Sequence, residues 1–391
     1  MLIIGIDARF AVHNRRGIGN YTLKLIQNLA EIDSNNEYIL YIDRDDLEYV
    51  LPNQRNFKIK KLCPSNYLIW EQFVLPMQAK KDNLDILHCT GNTAPLYLYG
   101  KITLILTIQD VMYLKPYFIL PRSTSLYQRL GRIYRKMIVP KAIKHVSRVI
   151  TISNFSKKDI MEHIPSIKED SISVIYLAAN NSFKVVNKDE AITKLKEKFG
   201  INGSYILAFG GIDPRKNTEL IINMFIESKR KEQINEKLVI VGIPNWKQAK
   251  FYNIVQESEY RDDIIFTNFV SEEDLVLLYN SASVFLYPSL YEGFGIPPLE
   301  AMACGVPVIT SNTTSIPEIV GDAALLINPQ NGEELKEALL TILNDKNLRY
   351  VLISRGFEQV KKFSWQKMAE KTLEVYNSVY RGVIPKKKTS Y

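Results

Sequence analysis

Glu292 and Glu300 flank seven residues that include Gly293, Phe294 and Gly295. A glycine loop at the start of a helix favours an anion. Its backbone N–H groups are unpaired, and the helix dipole places roughly half a positive charge there. A carboxylate repels phosphate but accepts hydrogen bonds from sugar hydroxyls. Two carboxylates around an anion nest therefore suit a diphosphate held between two polyols, as in a nucleotide sugar. A plain surface turn ahead of a helix N-terminus would use the same residue types, because that end also favours acidic side chains.

The elements that must hold these groups lie on either side. Val284–Tyr287 is an apolar run of strand type that stops at Pro288. Pro297 and Pro298 open a short helix that closes at Gly305, and residues 306–309 form the next strand. Further strand candidates at Tyr205–Phe209, 238–241, 264–267 and 324–327 alternate with helical segments, which predicts a parallel sheet covered on both faces. In the N-terminal half, strand candidates at Ile3–Asp7, 38–42, 85–89, 102–107 and 149–152 alternate in a similar way. The expected fold class is α/β, with two doubly wound, Rossmann-like domains facing a cleft. A chain of 391 residues gives each domain enough length for its own core.

Other segments offer related chemistry. GGIDPRKNTELII breaks the 205–209 strand at Gly210 and Gly211 and sets Arg215 and Lys216 before a helix. Cations there suit a pyrophosphate leaving group, with a solvated charged turn as the alternative. HNRRGIGNYT places Gly17 and Gly19 ahead of a helix over 22–31, with a second strand running to Asp43. This imitates a dinucleotide fingerprint. However, the glycines come about ten residues after the first strand, and Thr22 takes the third glycine's place, which argues against a dehydrogenase. The 102–107 strand leads into Gln109-Asp110, and ligands collect at the carboxyl ends of parallel strands; an ordinary strand-end turn is the alternative. Ser156-Lys157-Lys158-Asp159 has the pattern of a capping box. Asp43-Arg44-Asp45, followed by Asp46, reads as a solvated turn capping a short helix. The four histidines lack metal-ligand spacing, so no metal is assigned.

Taken whole, PSLYEGFGIPPLEAMACGVPVI resembles the donor-site signature of the family-four retaining glycosyltransferases, which have the GT-B fold. The resemblance covers nearly the whole chain and is strongest over 206–329. It implies that Glu292 contacts the donor sugar and Glu300 the ribose hydroxyls, while Gly293, Phe294 and Gly295 supply backbone donors to sugar and phosphate. Lys216 matches the family's lysine. Gly211 stands where the family has an arginine, and Arg215 is the substitute. Gly17 and Gly19 would lie under the donor phosphates, and the backbone around Phe269 would read the base. Gln109-Asp110 stands where the family has His-Asp. The imidazole's role is therefore unfilled, whereas a stabilising backbone carbonyl needs no imidazole, and Asp110 remains an acceptor-side residue. A DxD triplet marks metal-dependent glycosyltransferases of a different fold, so neither metal nor other cofactor is expected.

The same resemblance implies domains at 1–182 and 183–363 and a basic tail at 383–391. Between them a helix over 364–382, with Trp365, Met368, Thr372, Tyr376 and Val379 on one face, returns to the N-terminal domain. IGIDAR, GIGNYT and DPRKN are most similar to bacterial mannosyl- and related hexosyltransferases of surface-polysaccharide assembly. The implied reaction transfers a hexose, mannose before others, from a nucleotide-diphosphate sugar, GDP-mannose ahead of UDP-sugars, to a glycan or lipid-linked glycan. The alternatives are a nucleotide-sugar epimerase of the same architecture and a non-catalytic homologue, for which Gln109 is the hint.

Hydrophobic residues make up 46% and charged residues 24%, as in globular proteins. Three unpatterned cysteines fit a reducing cytosol. The N-terminus does not read as a signal peptide, and no apolar run approaches the ~20 residues of a membrane span. Residues 111–158 hold eleven Lys or Arg and no Asp or Glu; removing those eleven from the net +8 leaves −3. Aromatic and aliphatic residues interleave with the cations there, including Arg132, Arg135 and Lys136. The pattern suits an amphipathic helix touching anionic lipid headgroups, which places the chain in the cytoplasm and peripherally at the inner membrane face. A core-packed helix with a solvated basic side is the alternative. Nucleic acid ranks third and is not expected as a partner, since no nucleic-acid module accompanies the charge.

Overall fold

The computed structural model describes residues 1–13, 17–115 and 126–380. The proposed basic tail and residues 116–125 of the basic stretch lie outside them. The chain forms two compact units: Met1–Leu177 joined by the chain from Ser364 onward, and Ala178–Phe363.

The first unit holds seven strands: β1 Ile3–Asp7, β2 Glu37–Ile42, β3 Phe57–Lys61, β4 Ile86–Cys89, β5 Thr103–Thr107, β6 Arg148–Thr151 and β7 Ile172–Val174. They pair in parallel in the order β3-β2-β1-β4-β5-β6-β7. Strands β1, β4 and β5 are almost wholly buried, because helices cover both faces of such a sheet and continuous apolar runs are required. Strands β3 and β7 add to the sequence expectation at the two edges. β3 reads Phe-Lys-Ile-Lys-Lys, and its lysines protect an open edge while diluting the apolar signal. No helix follows the 43–46 turn: residues 43–56 stay irregular, and Asp46 accepts from the backbone N–H groups of Val50 and Leu51.

The first helix runs over Gly17–Ile32, so it starts five residues earlier than expected. Gly17 and Gly19 therefore lie in its first turn, not in a loop before it. Its buried face packs against the final helix, Trp365–Tyr380, which buries Trp365, Met368, Thr372 and Tyr376. Helix Asn154–His163 is capped by Ser153, whose hydroxyl accepts from the Ser156 N–H at 3.0 Å. The capping box starting at Ser156 is thus displaced: Ser156 sits inside the first turn. In helix Leu126–Ala142, Arg132 is buried and donates to the carbonyls of Tyr113 and Lys115, which rules it out as a lipid-facing cation.

The second unit holds β8 Tyr205–Phe209, β9 Lys237–Val241, β10 Ile264–Phe266, β11 Val284–Tyr287, β12 Val308–Ser311 and β13 Leu325–Ile327. The order is β10-β9-β8-β11-β12-β13, again parallel throughout. Each sheet reverses its strand order once, between β1 and β4 and between β8 and β11. At such a point the connections leave toward opposite faces and open a crevice at the strands' carboxyl ends.

A chain of buried hydrogen bonds fixes the final helix to the first sheet. Tyr376 Oη is 2.7 Å from His88 Nδ1, His88 Nε2 is 2.8 Å from Thr107 Oγ1, and Thr107 Oγ1 is 3.0 Å from Tyr21 Oη. Burial drives the His88 pKa down to about 3, so the imidazole is neutral, with one donor and one acceptor to satisfy. Tyr376→Phe orphans His88 Nδ1 and is expected to cost about 1–3 kcal/mol. Urea unfolding followed by tryptophan fluorescence measures this, and an unchanged midpoint would show that the network does not hold the helix.

Candidate functional site

In the second unit, the connections after β8 and β11 meet at the strand-order reversal. After β8 the chain passes Gly210 and Gly211 into a 3-10 turn, Pro214–Lys216, with Asp213 capping it through the Arg215 N–H. Asn217 then takes a left-handed conformation (φ 58°), and its side-chain amide donates to the carbonyls of Pro288 and Pro329. This locks the turn against the β11 connection. The Arg215 carbonyl in turn accepts from the Leu290 N–H at 2.9 Å and the Ser289 hydroxyl at 3.1 Å.

The two connections bring Arg215, Lys216 and Glu292 together. Lys216 Nζ and Arg215 Nη1 each lie 2.8 Å from Glu292 Oε1. The hydroxyls of Tyr287 and Ser289 each lie 2.7 Å from the same oxygen. Lys216 Nζ is also 2.7 Å from Tyr287 Oη and 4.8 Å from that ring's centroid. Burial pushes the Glu292 carboxyl up, but the charges of Lys216 and Arg215 and the hydrogen bonds outweigh it and hold the pKa at about 2. Burial lowers the Lys216 pKa, with Glu292 opposing the shift and Arg215 reinforcing it. Glu292 thus holds two cations at one oxygen, and Arg215 Nε also lies 3.4 Å from Asp213 Oδ2, so each cation is balanced within the two connections.

Beyond Glu292 the loop is held from one side. The Ser315 hydroxyl donates to the carbonyls of Glu292 (2.9 Å) and Phe294 (2.7 Å), and the Glu292 N–H reaches Thr314 Oγ1 at 3.3 Å. Those carbonyls are occupied, and Gly295 ends the loop with φ +115°. The conformation favours glycine, and a Cβ there would lie 2.6 Å from Ile316 Cδ1 and displace the end of that side chain. Helix Ile296–Ala303 starts there, with Pro297 and Pro298 in its first turn. Glu300 lies on this helix with Oε2 3.3 Å from Tyr279 Oη. Burial is the main cause that raises its pKa to about 8; the Tyr279 hydrogen bond opposes this and Glu272 adds to it. Phe269, after β10, is 59% exposed.

The remaining candidates belong to the first unit. A Cβ on Gly17 would lie 3.9 Å from Gln109 Oε1, so the helix start and the Gln109 amide are neighbours. Gln109 is buried, and its Nε2 lacks a hydrogen-bond partner. Its N–H donates to Asn92 Oδ1 at 2.7 Å, and its carbonyl accepts from the Ser156 hydroxyl at 2.9 Å. Asp110 Oδ1 accepts from the Met112 N–H at 3.0 Å, a turn-forming contact. Asp43 accepts from His13 Nε2, and Asp45 pairs with Lys61. Sequence reasoning missed Tyr287, Ser289 and Ser315. Tyr287 was visible as the last residue of a strand, but nothing local marks its partners.

Residues 15–182 match the family model described as Glycosyltransferase Family 4, and residues 191–359 match that described as Glycosyl transferases group 1. The O-antigen chain mannosyltransferase B of Escherichia coli is 27% identical over 376 residues, covering 92% of this chain and 95% of that protein. The O-antigen chain mannosyltransferase RfbU of Salmonella typhimurium is 28% identical, covering 90% of this chain and 94% of that protein. Among solved structures, sucrose-phosphate synthase from Thermosynechococcus elongatus gives a TM-score of 0.76 at 19% identity, covering 98% of this chain and 100% of that one. That likeness is one of fold. With both halves matched in order on this fold, the chain belongs to the family-four glycosyltransferases of the GT-B fold.

Proposed function

We propose that this enzyme is a retaining, metal-independent hexosyltransferase that moves mannose from GDP-mannose to a growing, lipid-linked surface polysaccharide. The observation that carries the reading is the convergence of Lys216 and Arg215 on Glu292 beside a glycine-started helix. The similarity to two O-antigen mannosyltransferases supports the sugar and the kind of acceptor.

In this reading the diphosphate lies against Lys216, Arg215 and the N–H groups at Gly293, Phe294 and Gly295. These groups stabilise the charge that develops as the bond from sugar C1 to the diphosphate breaks. The same cations take the part a divalent metal would otherwise play. Glu292 orients the sugar through its hydroxyls. A carboxylate held at about 2 and bonded to four partners is a poor nucleophile, which supports direct front-face attack. The acceptor hydroxyl then forms the new bond on the face the diphosphate leaves, and its proton passes to the departing oxygen. Gln109 and Asp110 line the acceptor side, with Gly17 and Gly19 under the donor phosphates and Phe269 near the base. Glu300 accepts from the ribose hydroxyls.

Nucleotide-induced stabilisation tests the site. GDP at about 100 times its dissociation constant should add about 2.7 kcal/mol and exceed UDP, dTDP and ADP. Absence of stabilisation by any of the four would defeat the reading. Lys216→Ala is expected to lower mannosyl transfer about 10²–10³-fold with the unfolding midpoint retained; near-wild-type transfer would remove Lys216 from the site.

Glu300 makes a separate prediction. With its pKa raised to about 8, its carboxyl is mostly protonated at neutral pH, and ribose binding in the ionised form requires loss of that proton. GDP affinity should therefore rise with pH and level off above 8, being about tenfold weaker at pH 7 than on the plateau. Titration calorimetry should give this profile for the wild type and a flat one for Glu300→Gln. A flat wild-type profile would show that the ionised carboxylate is not what the ribose meets.

A further inference from the structure

We infer that Tyr287 is a positioning residue that sets sugar choice: its hydroxyl pins one oxygen of Glu292, so that the other, Oε2, meets the hexose in a fixed direction. The inference deepens the proposed function and rests on it for Glu292 as the sugar contact. The pinning itself is read from distances within the second unit.

Four groups converge on the Glu292 carboxylate, and all four end on the same atom. Lys216 Nζ and Arg215 Nη1 are each 2.8 Å from Oε1, and the hydroxyls of Tyr287 and Ser289 are each 2.7 Å from it. Among the described residues none donates a hydrogen bond to Oε2. That oxygen is not sealed in the interior, since the Glu292 side chain keeps 14% exposure. An ionised carboxylate oxygen with open lone pairs accepts from hydroxyls.

Of the four partners, Tyr287 has the most rigid mount. The two cations stand on the short turn after β8. The Ser289 hydroxyl has a second acceptor, the Arg215 carbonyl at 3.1 Å, and a single proton serves one of them at a time. Tyr287 instead closes β11, which lies between β8 and β12, and it faces Thr310 in register. Its carbonyl accepts from the Thr310 hydroxyl at 2.8 Å, its ring stacks near that of Phe285 at 5.9 Å, and the residue is buried. A strand in mid-sheet places a side chain more exactly than a loop does.

The hydrogen bonds around the phenol have a direction. Lys216 Nζ lies 2.7 Å from Tyr287 Oη and can only donate, so the phenol accepts there and gives its own proton to Glu292. Burial and the charge of Glu292 hold the phenol well above its ordinary pKa, and the proton stays in place. Lys216 Nζ, Tyr287 Oη and Glu292 Oε1 thus form a closed triangle with sides of 2.7, 2.7 and 2.8 Å. A carboxylate held in this way does not swing about its last bond. Without the phenolic hydroxyl the cations still neutralise Glu292, but its two oxygens can exchange places.

This matters for sugar choice. Hexoses that differ at one carbon's configuration carry the same charge and nearly the same volume. A site separates them by whether a fixed acceptor meets the hydroxyl in question. An oxygen free to turn follows either epimer.

Steady-state kinetics with GDP-mannose and GDP-glucose, two epimers on one nucleotide, test the inference. The wild type should favour GDP-mannose in kcat/KM. Tyr287→Phe keeps the ring beside Lys216 and should lower that preference about tenfold. Its affinity for GDP, which carries no hexose, should match the wild type by calorimetry. In a Glu292→Ala background, Tyr287→Phe should change the preference no further, because the hydroxyl acts through Glu292. A hydroxyl that served only to fill a buried site would lower stability and slow both donors alike. Equal losses with the two donors would therefore overturn the inference, as would a further loss of preference beyond that of Glu292→Ala. Failure of GDP to stabilise the wild type strikes the donor reading and this inference with it. Retained stabilisation with an unaltered preference in Tyr287→Phe strikes this inference alone.

Discussion

Lys216 and Glu292 lie 76 residues apart in the chain and 2.8 Å apart in space because β8 and β11 are hydrogen-bonded neighbours that diverge at their ends. Parallel register places both strand ends on one edge of the sheet. The reversal of order then sends one connection to each face, so the side chains that lead each connection meet across the gap. An ion pair in such a place is costly to desolvate and is kept only if its remaining lone pairs and protons are satisfied. Tyr287, Ser289 and the Tyr291 carbonyl provide that satisfaction for Glu292 and Arg215. The supporting hydroxyls are thus as much a condition of the site as the charges, and they come from the end of β11 and the connection after it.

The first unit solves the same problem differently. At the end of β1, Arg9 makes a two-pronged contact with Asp7 (3.0 and 2.8 Å) and reaches Glu71 at 3.4 Å, all three buried. Its guanidinium lies 3.8 Å from the centroid of the Trp70 ring. Burial raises the Glu71 pKa despite Arg9 and despite donors from Thr93 (2.6 Å) and Tyr134 (2.7 Å). This network pins the π-helical turn Trp70–Val74 and helix Leu126–Ala142 to the sheet end.

The central strands were legible in the sequence because a strand buried on both faces must be a continuous apolar run, and Ile206 to Phe209 or Val284 to Tyr287 have no other simple reading. The glycine loop and the proline-opened helix after it were legible as a motif. What escaped was set by distant partners. The helix at Gly17 begins early because Tyr21, Leu25 and Leu29 are buried and the helix packs on the final helix, which outweighs two glycines. Ser153 caps instead of Ser156 because the Ser156 hydroxyl is taken by the Gln109 carbonyl, 47 residues away. Arg132 looked like a surface cation, since a sequence does not say whether a guanidinium ends in solvent or on backbone carbonyls.

Glu292 and Glu300 show most directly how context makes a site from equal parts. Both are glutamates on one short segment, both are partly buried, and their pKa values move to about 2 and about 8. The difference is the presence of two cations at one and of a neutral phenol at the other. A carboxylate that already holds two cations can share them with a diphosphate and still accept from a sugar hydroxyl beside it. A carboxyl without a cation has no means of holding an anion near, and what it can pair with is a group that donates without carrying charge. Across one helix start two residues of the same type are thus fitted to opposite partners, a charged group at one and a neutral hydroxyl donor at the other, by electrostatic context and not by residue type.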